Sequence, residues 1–233
     1  MSQVKVEFHQ TDVNKRKLLK AAAAGGAAIA IAPGIKLFQA AQAKPDEQAV
    51  TDSNRWGLLI DVNKCSSDCN DCVEACQIEN GWGIGSTDEQ KSRPDQKAQW
   101  IRKVDVKDPM TKREFSMPVM CQHCENPPCR DVCPTGASFR REDGIVMVDR
   151  HICIGCRYCM MACPYKARSF VHEELFDQRV VQPRGKGTVE SCTLCAHRID
   201  KGQIPACVES CTSGAMLYGD LNDPASEISQ KLA

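Results

Sequence analysis

Sixteen of the 233 residues are cysteine, and they divide without remainder into four groups of four. Group one is Cys65, Cys69, Cys72 and Cys76, with gaps of three, two and three residues. Group two is Cys121, Cys124, Cys129 and Cys133, with gaps of two, four and three. Group three is Cys153, Cys156, Cys159 and Cys163, with gaps of two, two and three. Group four is Cys192, Cys195, Cys207 and Cys211, with gaps of two, eleven and three. So many thiols oblige the chain to fold around whatever they bind or form. The groups are also an internal repeat: compare Val132-Cys-Pro-Thr-Gly-Ala137, Ala162-Cys-Pro-Tyr-Lys-Ala167 and Ser210-Cys-Thr-Ser-Gly-Ala215.

The spacing has a chemical reading. Soft thiolates select zinc and iron–sulfur clusters over hard cations. Three sulfurs on one tight loop can aim at a single 4Fe–4S cube. A fourth cysteine that opens a helix is carried away and serves a neighbouring cube, and a proline then turns the chain. Group three has the standard bacterial spacing with Pro164 after its last cysteine, and Pro134 follows group two. Disulfides within such triplets would close small, strained loops. Structural zinc accounts for C-x2-C pairs but gives no role to a triplet followed by a fourth cysteine and proline. No pair is followed by the histidine of a C-x-x-C-H haem site. His123 and His197 stand beside Cys124 and Cys195, where each either hydrogen-bonds a cluster sulfur or simply packs or faces solvent.

The remaining sequence reads as short elements carrying these loops. Aromatic residues make up only 5% of the chain, a thin supply for a conventional core. Residues 56–62 (WGLLIDV) predict a strand leading into group one. Residues 83–100 lack periodicity and predict a surface loop. IRKVDVKD and REFSMPVM predict a hairpin turning at Pro109-Met110-Thr111-Lys112, and GIVMVDRH a further short strand. Residues 222–233 predict a C-terminal helix and tail, with Asp223 and Pro224 at the helix start.

At the N-terminus, the basic run Asn14–Lys20 precedes AAAAGGAAIAIAPG and then Ala41-Gln42-Ala43, a small-x-small cleavage site. The apolar part is shorter than the ~20 residues of a membrane span. Residues 1–43 therefore predict a removable export signal, and 44–55 a polar leader. The signal resembles the twin-arginine type, which exports proteins already folded around cofactors. It has Lys15-Arg16 for the arginine pair and Leu18 at the aromatic position, so the general secretory route stays open. Without residues 1–43 the chain has 24 Lys and Arg against 28 Asp and Glu. That balance and the lack of a basic stripe argue against nucleic acid, and clusters held by thiolates would make the protein more acidic still.

MCQHCENPPCRDVCPTGA, CIGCRYCMMACPYKAR, CTLCAHRIDKGQIPACVESC and YGDLNDPASEIS resemble the four-cluster ferredoxin-like subunits of bacterial membrane oxidoreductases. That family includes the electron-transfer subunits of polysulfide and tetrathionate reductases and of the nitrite-reductase-linked quinol system. With RWGLLIDVNKC, CRYCMMACPYKARSFVHE and a signal peptide, the pattern is most similar to the O subunits of Dsr membrane complexes. The resemblance implies an α+β, duplicated two-cluster ferredoxin-like fold over 56–221, with an inner unit at 118–170 and an outer unit joining 56–80 to 190–221. It implies four 4Fe–4S clusters in crossed sets: Cys121, Cys124 and Cys129 with Cys163; Cys153, Cys156 and Cys159 with Cys133; Cys65, Cys69 and Cys72 with Cys211; Cys192, Cys195 and Cys207 with Cys76. The extra residue between Cys65 and Cys69, and Gln77 and Thr212 in place of proline, depart from the family pattern in the outer sets. The implied role is non-catalytic: a periplasmic relay between a quinone-interacting membrane subunit and a cytochrome c or other redox subunit, linked to dissimilatory sulfur metabolism. An enzyme with its own substrate site is the other class, but no Rossmann glycine motif, P-loop or His-rich metal site appears.

Overall fold

The computed structural model describes residues 50–83, 85–88, 91–176 and 178–233. The predicted export signal and the first six residues of the predicted polar leader lie outside the described residues. The elements are β1 (Trp56–Ile60), α1 (Asp71–Asn80), a 3-10 turn at Pro94–Gln96, β2 (Ile101–Lys107), β3 (Glu114–Met120), α2 (Pro128–Asp131), β4 (Ser138–Arg140) and β5 (Val146–Val148). They continue with α3 (Tyr158–Ala162), β6 (Arg168–Phe170), β7 (Val189–Ser191), α4 (Ala196–Ile199), α5 (Ala206–Glu209), β8 (Met216–Asp220) and α6 (Glu227–Leu232). This is a small α+β fold of short strands and helices.

The strands form four antiparallel ribbons: β1 with β8, β2 with β3, β4 with β5, and β6 with β7. The β2–β3 hairpin runs in register from Ile101↔Met120 to Lys107↔Glu114. Its turn is fixed by Asp108, whose carboxylate accepts from the Met110 N–H at 2.8 Å, while Lys112 takes the left-handed conformation. β1 and β8 pair from Trp56↔Asp220 to Ile60↔Met216, closing the two ends of the described chain on each other. Leu221 N–H to Arg55 C=O (2.7 Å) and Asp61 N–H to Ala215 C=O (2.8 Å) extend that ribbon. α6 docks on β8 so closely that a Cβ on Gly219 would lie 2.7 Å from Ile228 Cγ2.

Two local expectations need correction. The segment 83–100 is not simply a surface loop: Trp100 at its end is 1% exposed, and Arg150 stacks on its ring at 5.3 Å. A scarcity of aromatics makes each large ring valuable as core, and the polar residues before Trp100 hid it. The C-terminal helix begins later than Asp223-Pro224. Its N-cap is Ser226, whose hydroxyl accepts from the Ser229 N–H at 3.3 Å. The sequence reading also missed β4, three residues directly after the group-two tail, paired to β5 across Gly144.

The core is built largely from the cysteines. Cys72, Cys76, Cys192 and Cys207 pack with Trp82, Trp100, Ile101, Met120 and Met216. Cys129 and Cys159 pack with Val146 and Val189. A third cluster, Ile145, Leu194, Ala196 and Ile199, is covered by Trp56 and Tyr218, whose rings stack at 5.4 Å.

Candidate iron–sulfur site

The local sequence explains how each group is presented. α1 carries Cys72 and Cys76 four residues apart, hence on one face. Gly81 ends that helix in the left-handed conformation, with its N–H on the Gln77 carbonyl at 2.8 Å. Pro128 opens α2, where its missing N–H costs nothing, and sets Cys129 in the first turn. In groups two, three and four the loops contain left-handed residues: His123, Gly155, Arg157, Leu194 and Cys195. Such turns point successive N–H groups inward and make a concavity suited to an anionic centre. Their cost, of order 1–3 kcal/mol for each non-glycine, implies compensation by what the loop holds.

The sulfurs receive N–H donors. Trp82 Nε1–H and Asn80 Nδ2–H donate to Cys76 Sγ at 3.3 and 3.5 Å. Backbone N–H groups of Ser138, Val189 and Leu194 reach Cys133, Cys153 and Cys192 at 3.5, 3.5 and 3.4 Å. Asn80 lies at i+4 from Cys76, a signal already present in the sequence; Trp82 lies beyond the helix end and gave none. His197 bonds no sulfur. Its Nε2 pairs with Glu79 Oε1 at 2.7 Å and its Nδ1 with Gln182 Nε2 at 3.2 Å. His123 is buried and accepts the Val146 N–H on Nδ1 at 3.0 Å, while its Nε2 is buried with no partner. Burial, with the charges of Arg55 and Arg168, lowers its pKa to about 4, so the ring is neutral.

All sixteen thiols are free, and eight are buried, with Cys156 the exposed one. Their electrostatics link groups distant in sequence. Cys72 is pushed up to about 11 by burial and then by the charges of Cys65, Cys69 and Cys211. Burial raises Cys76 further, with added repulsion from Cys195 and Cys207. Cys192 is raised by burial, then by Cys76, Cys207 and Cys195. Burial raises Cys129, which also feels Cys163, Cys159 and Cys124. Cys121 is pushed up to about 11 by burial, against the His123 backbone N–H and Arg168, which lower it. Cys133 differs: burial raises it, but bonds from Ser138 and Thr135 outweigh that and lower it.

Buried thiols that repel one another as anions suit a cationic metal core, since a coordinating thiol is deprotonated outright. A mononuclear zinc site needs its four donors about 2.0–2.3 Å from one point. Among the described residues no group of three or more His, Cys, Asp or Glu side chains is arranged to hold a single ion. The donor set, the inward N–H groups and the left-handed loops fit iron–sulfur clusters.

Comparison with known proteins agrees. Residues 113–221 match the 4Fe-4S dicluster domain. The chain is 39% identical to the Hdr-like menaquinol oxidoreductase iron-sulfur subunit 1 of Archaeoglobus fulgidus over 94% of this chain and 90% of that one. It is 38% identical to the tetrathionate reductase B subunit of Salmonella typhimurium, over 85% of this chain and 73% of that one. The chain belongs to the 4Fe-4S dicluster family of oxidoreductase iron–sulfur subunits. A third member, the protein NrfC of Escherichia coli K12, is 38% identical over 76% of this chain and 71% of its own length. For this iron–sulfur subunit, the clusters account for the thin aromatic core: the metal-binding loops stand where a larger protein would place side chains.

Proposed function

We propose that this iron–sulfur subunit holds four 4Fe–4S clusters and relays electrons between a quinone-interacting integral-membrane subunit and a periplasmic redox partner, a cytochrome c or another subunit of the same complex. The ligand sets are Cys65/Cys69/Cys72/Cys211, Cys76/Cys192/Cys195/Cys207, Cys121/Cys124/Cys129/Cys163 and Cys133/Cys153/Cys156/Cys159. The observation that carries this reading is that groups distant in sequence pack together: Cys72 and Cys76 with Cys192 and Cys207, with Cys211 against the same cluster, and Cys129 with Cys159. Packing supports a duplicated ferredoxin-like plan, because α1 lies on α5 as α2 lies on α3.

Bound clusters supply one-electron transfer at potentials set by hydrogen bonds, charge and exposure. The chain's residues do the rest. Trp82 and Asn80 direct N–H donors at Cys76, favouring the more negative state of whatever that sulfur ligates. Trp100, Ile101, Met120 and Met216 keep water from Cys72, Cys76, Cys192 and Cys207. Cys156, exposed among the large exposed side chains Ile154, Tyr158 and Met161, brings one centre near the surface, where a redox partner can approach.

The physiological setting is dissimilatory sulfur metabolism, in a Dsr-type membrane complex. In this reading the protein is exported, the twin-arginine route being favoured over the general secretory one by its carriage of folded cofactor proteins, and sits at the outer face of the cytoplasmic membrane. Among the described residues no helix is long and apolar enough to cross a membrane, and in this reading the partner supplies the membrane contact. The identity to the tetrathionate reductase B subunit favours, as a second reading, an electron-transfer subunit of a tetrathionate, polysulfide or nitrite reductase system.

Anaerobic reconstitution of residues 44–233 and metal analysis test the cluster reading. About sixteen irons per chain with one-electron EPR signals are expected for four cubes; zinc in their place refutes it. Cys211→Ala tests the crossing. Its residual spectrum should match that of Cys65→Ala. A match to Cys192→Ala instead would show that Cys211 serves its own group.

A further inference from the structure

Arg168 opens β6, five residues after Cys163, and is 6% exposed. Two other arginines withdrawn from solvent have counter-charges. Arg184 grips Glu190 with Nε and Nη2 at 2.9 and 2.7 Å. Arg141 is held between Asp143 and Asp200 at 2.8 and 2.6 Å. Arg168 has only a neutral acceptor, Ser138 Oγ, 2.6 Å from Nη1, and its Nη2 is buried with no hydrogen-bond partner. Among the described residues no carboxylate is ion-paired with it. A guanidinium out of water and without a counter-charge is strongly unfavourable, so something anionic must complete the site.

Cysteine sulfurs lie within reach of Arg168. Its charge acts on the thiols of Cys121 and Cys129 and on the buried His123 ring. On the same side stands a second unpaired donor. Because His123 Nδ1 accepts from Val146, its proton sits on Nε2, which has no partner in the protein. Two buried N–H groups therefore lack acceptors beside the same cysteine loop.

We infer that Arg168 is the built-in counter-cation of the iron–sulfur centre carried by Cys121, Cys124 and Cys129, and that its charge raises that centre's reduction potential. The inference rests on the cluster reading above. One-electron reduction adds one negative charge to the centre and moves no bond in the protein. A fixed positive charge alongside then stabilises the reduced form more than the oxidised one.

The test uses the reconstituted chain with Arg168→Met and Arg168→Lys, reading iron content and each midpoint potential by EPR-monitored redox titration. Arg168→Met should lower the equilibrium constant for reducing one centre at least tenfold, about 59 mV for one electron. The other centres should stay in place, and the shifted one should be that missing from a Cys124→Ala variant. Arg168→Lys should recover most of the shift, because it keeps the charge while losing the planar fork. If Arg168→Met loses the iron of that centre, Arg168→Lys decides. Retained iron at a near-native potential supports the counter-charge, and loss in both variants overturns it in favour of a purely geometric role. Fully loaded Arg168→Met with unchanged potentials, or a shift in a different centre, also overturns it while leaving the cluster reading intact. Wild-type protein that takes up zinc instead of iron overturns the reading beneath it.

Discussion

Removing the Glu190 carboxylate should weaken this fold more than any surface change. Glu190 lies in β7 between Val189, whose N–H reaches Cys153 Sγ, and Ser191, which adjoins Cys192. Its side chain is 0% exposed and that of its partner Arg184 is 2% exposed. Two parallel bonds join them, and Arg184 Nη1 continues to the Gly81 carbonyl at 2.7 Å, at the end of α1. The pair thus fastens β7 to the helix that presents Cys72 and Cys76. Glu190 also counters the charge of Arg150, so its loss leaves two cations under-compensated. Breaking one partner of a buried pair costs about 3–5 kcal/mol. For a domain near this size each kcal/mol moves the midpoint by about 2–4 °C, so Glu190→Gln should lower it by roughly 6–20 °C. A cluster protein unfolds irreversibly, so wild type and variant are heated at one scan rate, with far-UV circular dichroism and visible cluster absorption followed together. Replacing both partners, as in Arg184→Met with Glu190→Leu, removes the pair's own charges and bonds and should recover the part of the loss due to Arg184, leaving the part due to Arg150. A fall below about 3 °C for Glu190→Gln, or a double variant as weak as the single, refutes the reasoning.

Other perturbations reach separate parts of the argument. Gly155→Ala places a Cβ 2.1 Å from the Gly187 carbonyl oxygen at a φ of +70°, so reconstitution should give about four fewer irons, measured by metal analysis. Trp82→Phe keeps the ring packed but removes the N–H on Cys76. One centre should then become harder to reduce by up to about tenfold, or about 59 mV, in a redox titration. Ile228→Ala empties a fully buried site between α6 and β8 and should cost about 2–5 kcal/mol, read as a lower thermal midpoint with unchanged iron content.

The cysteine groups were legible because their information is local. Ligand spacing, the prolines after Cys133 and Cys163 and the strands feeding each loop all lie within a few residues of one another. The Trp56–Ile60 strand and the β2–β3 hairpin were legible for the same reason. Features set by distant partners were not. Trp100 reads as the end of a polar loop until Arg150 covers it. His123 and His197 have the same kind of neighbours in sequence, yet one is neutral and sealed beside Cys121 while the other is taken up by Glu79 and Gln182.

Sequence alone therefore determined the chemistry, a thiolate protein organised around iron and sulfur, because donor type and spacing are written along the chain. Tertiary structure decided which groups face which. β1 meets β8 across some 160 positions, Cys72 feels Cys211, and Arg168 is left without a carboxylate while Arg184 finds Glu190. Charge and hydrogen bonding act over a few ångströms of space, and only folding converts distances along the chain into distances of that kind.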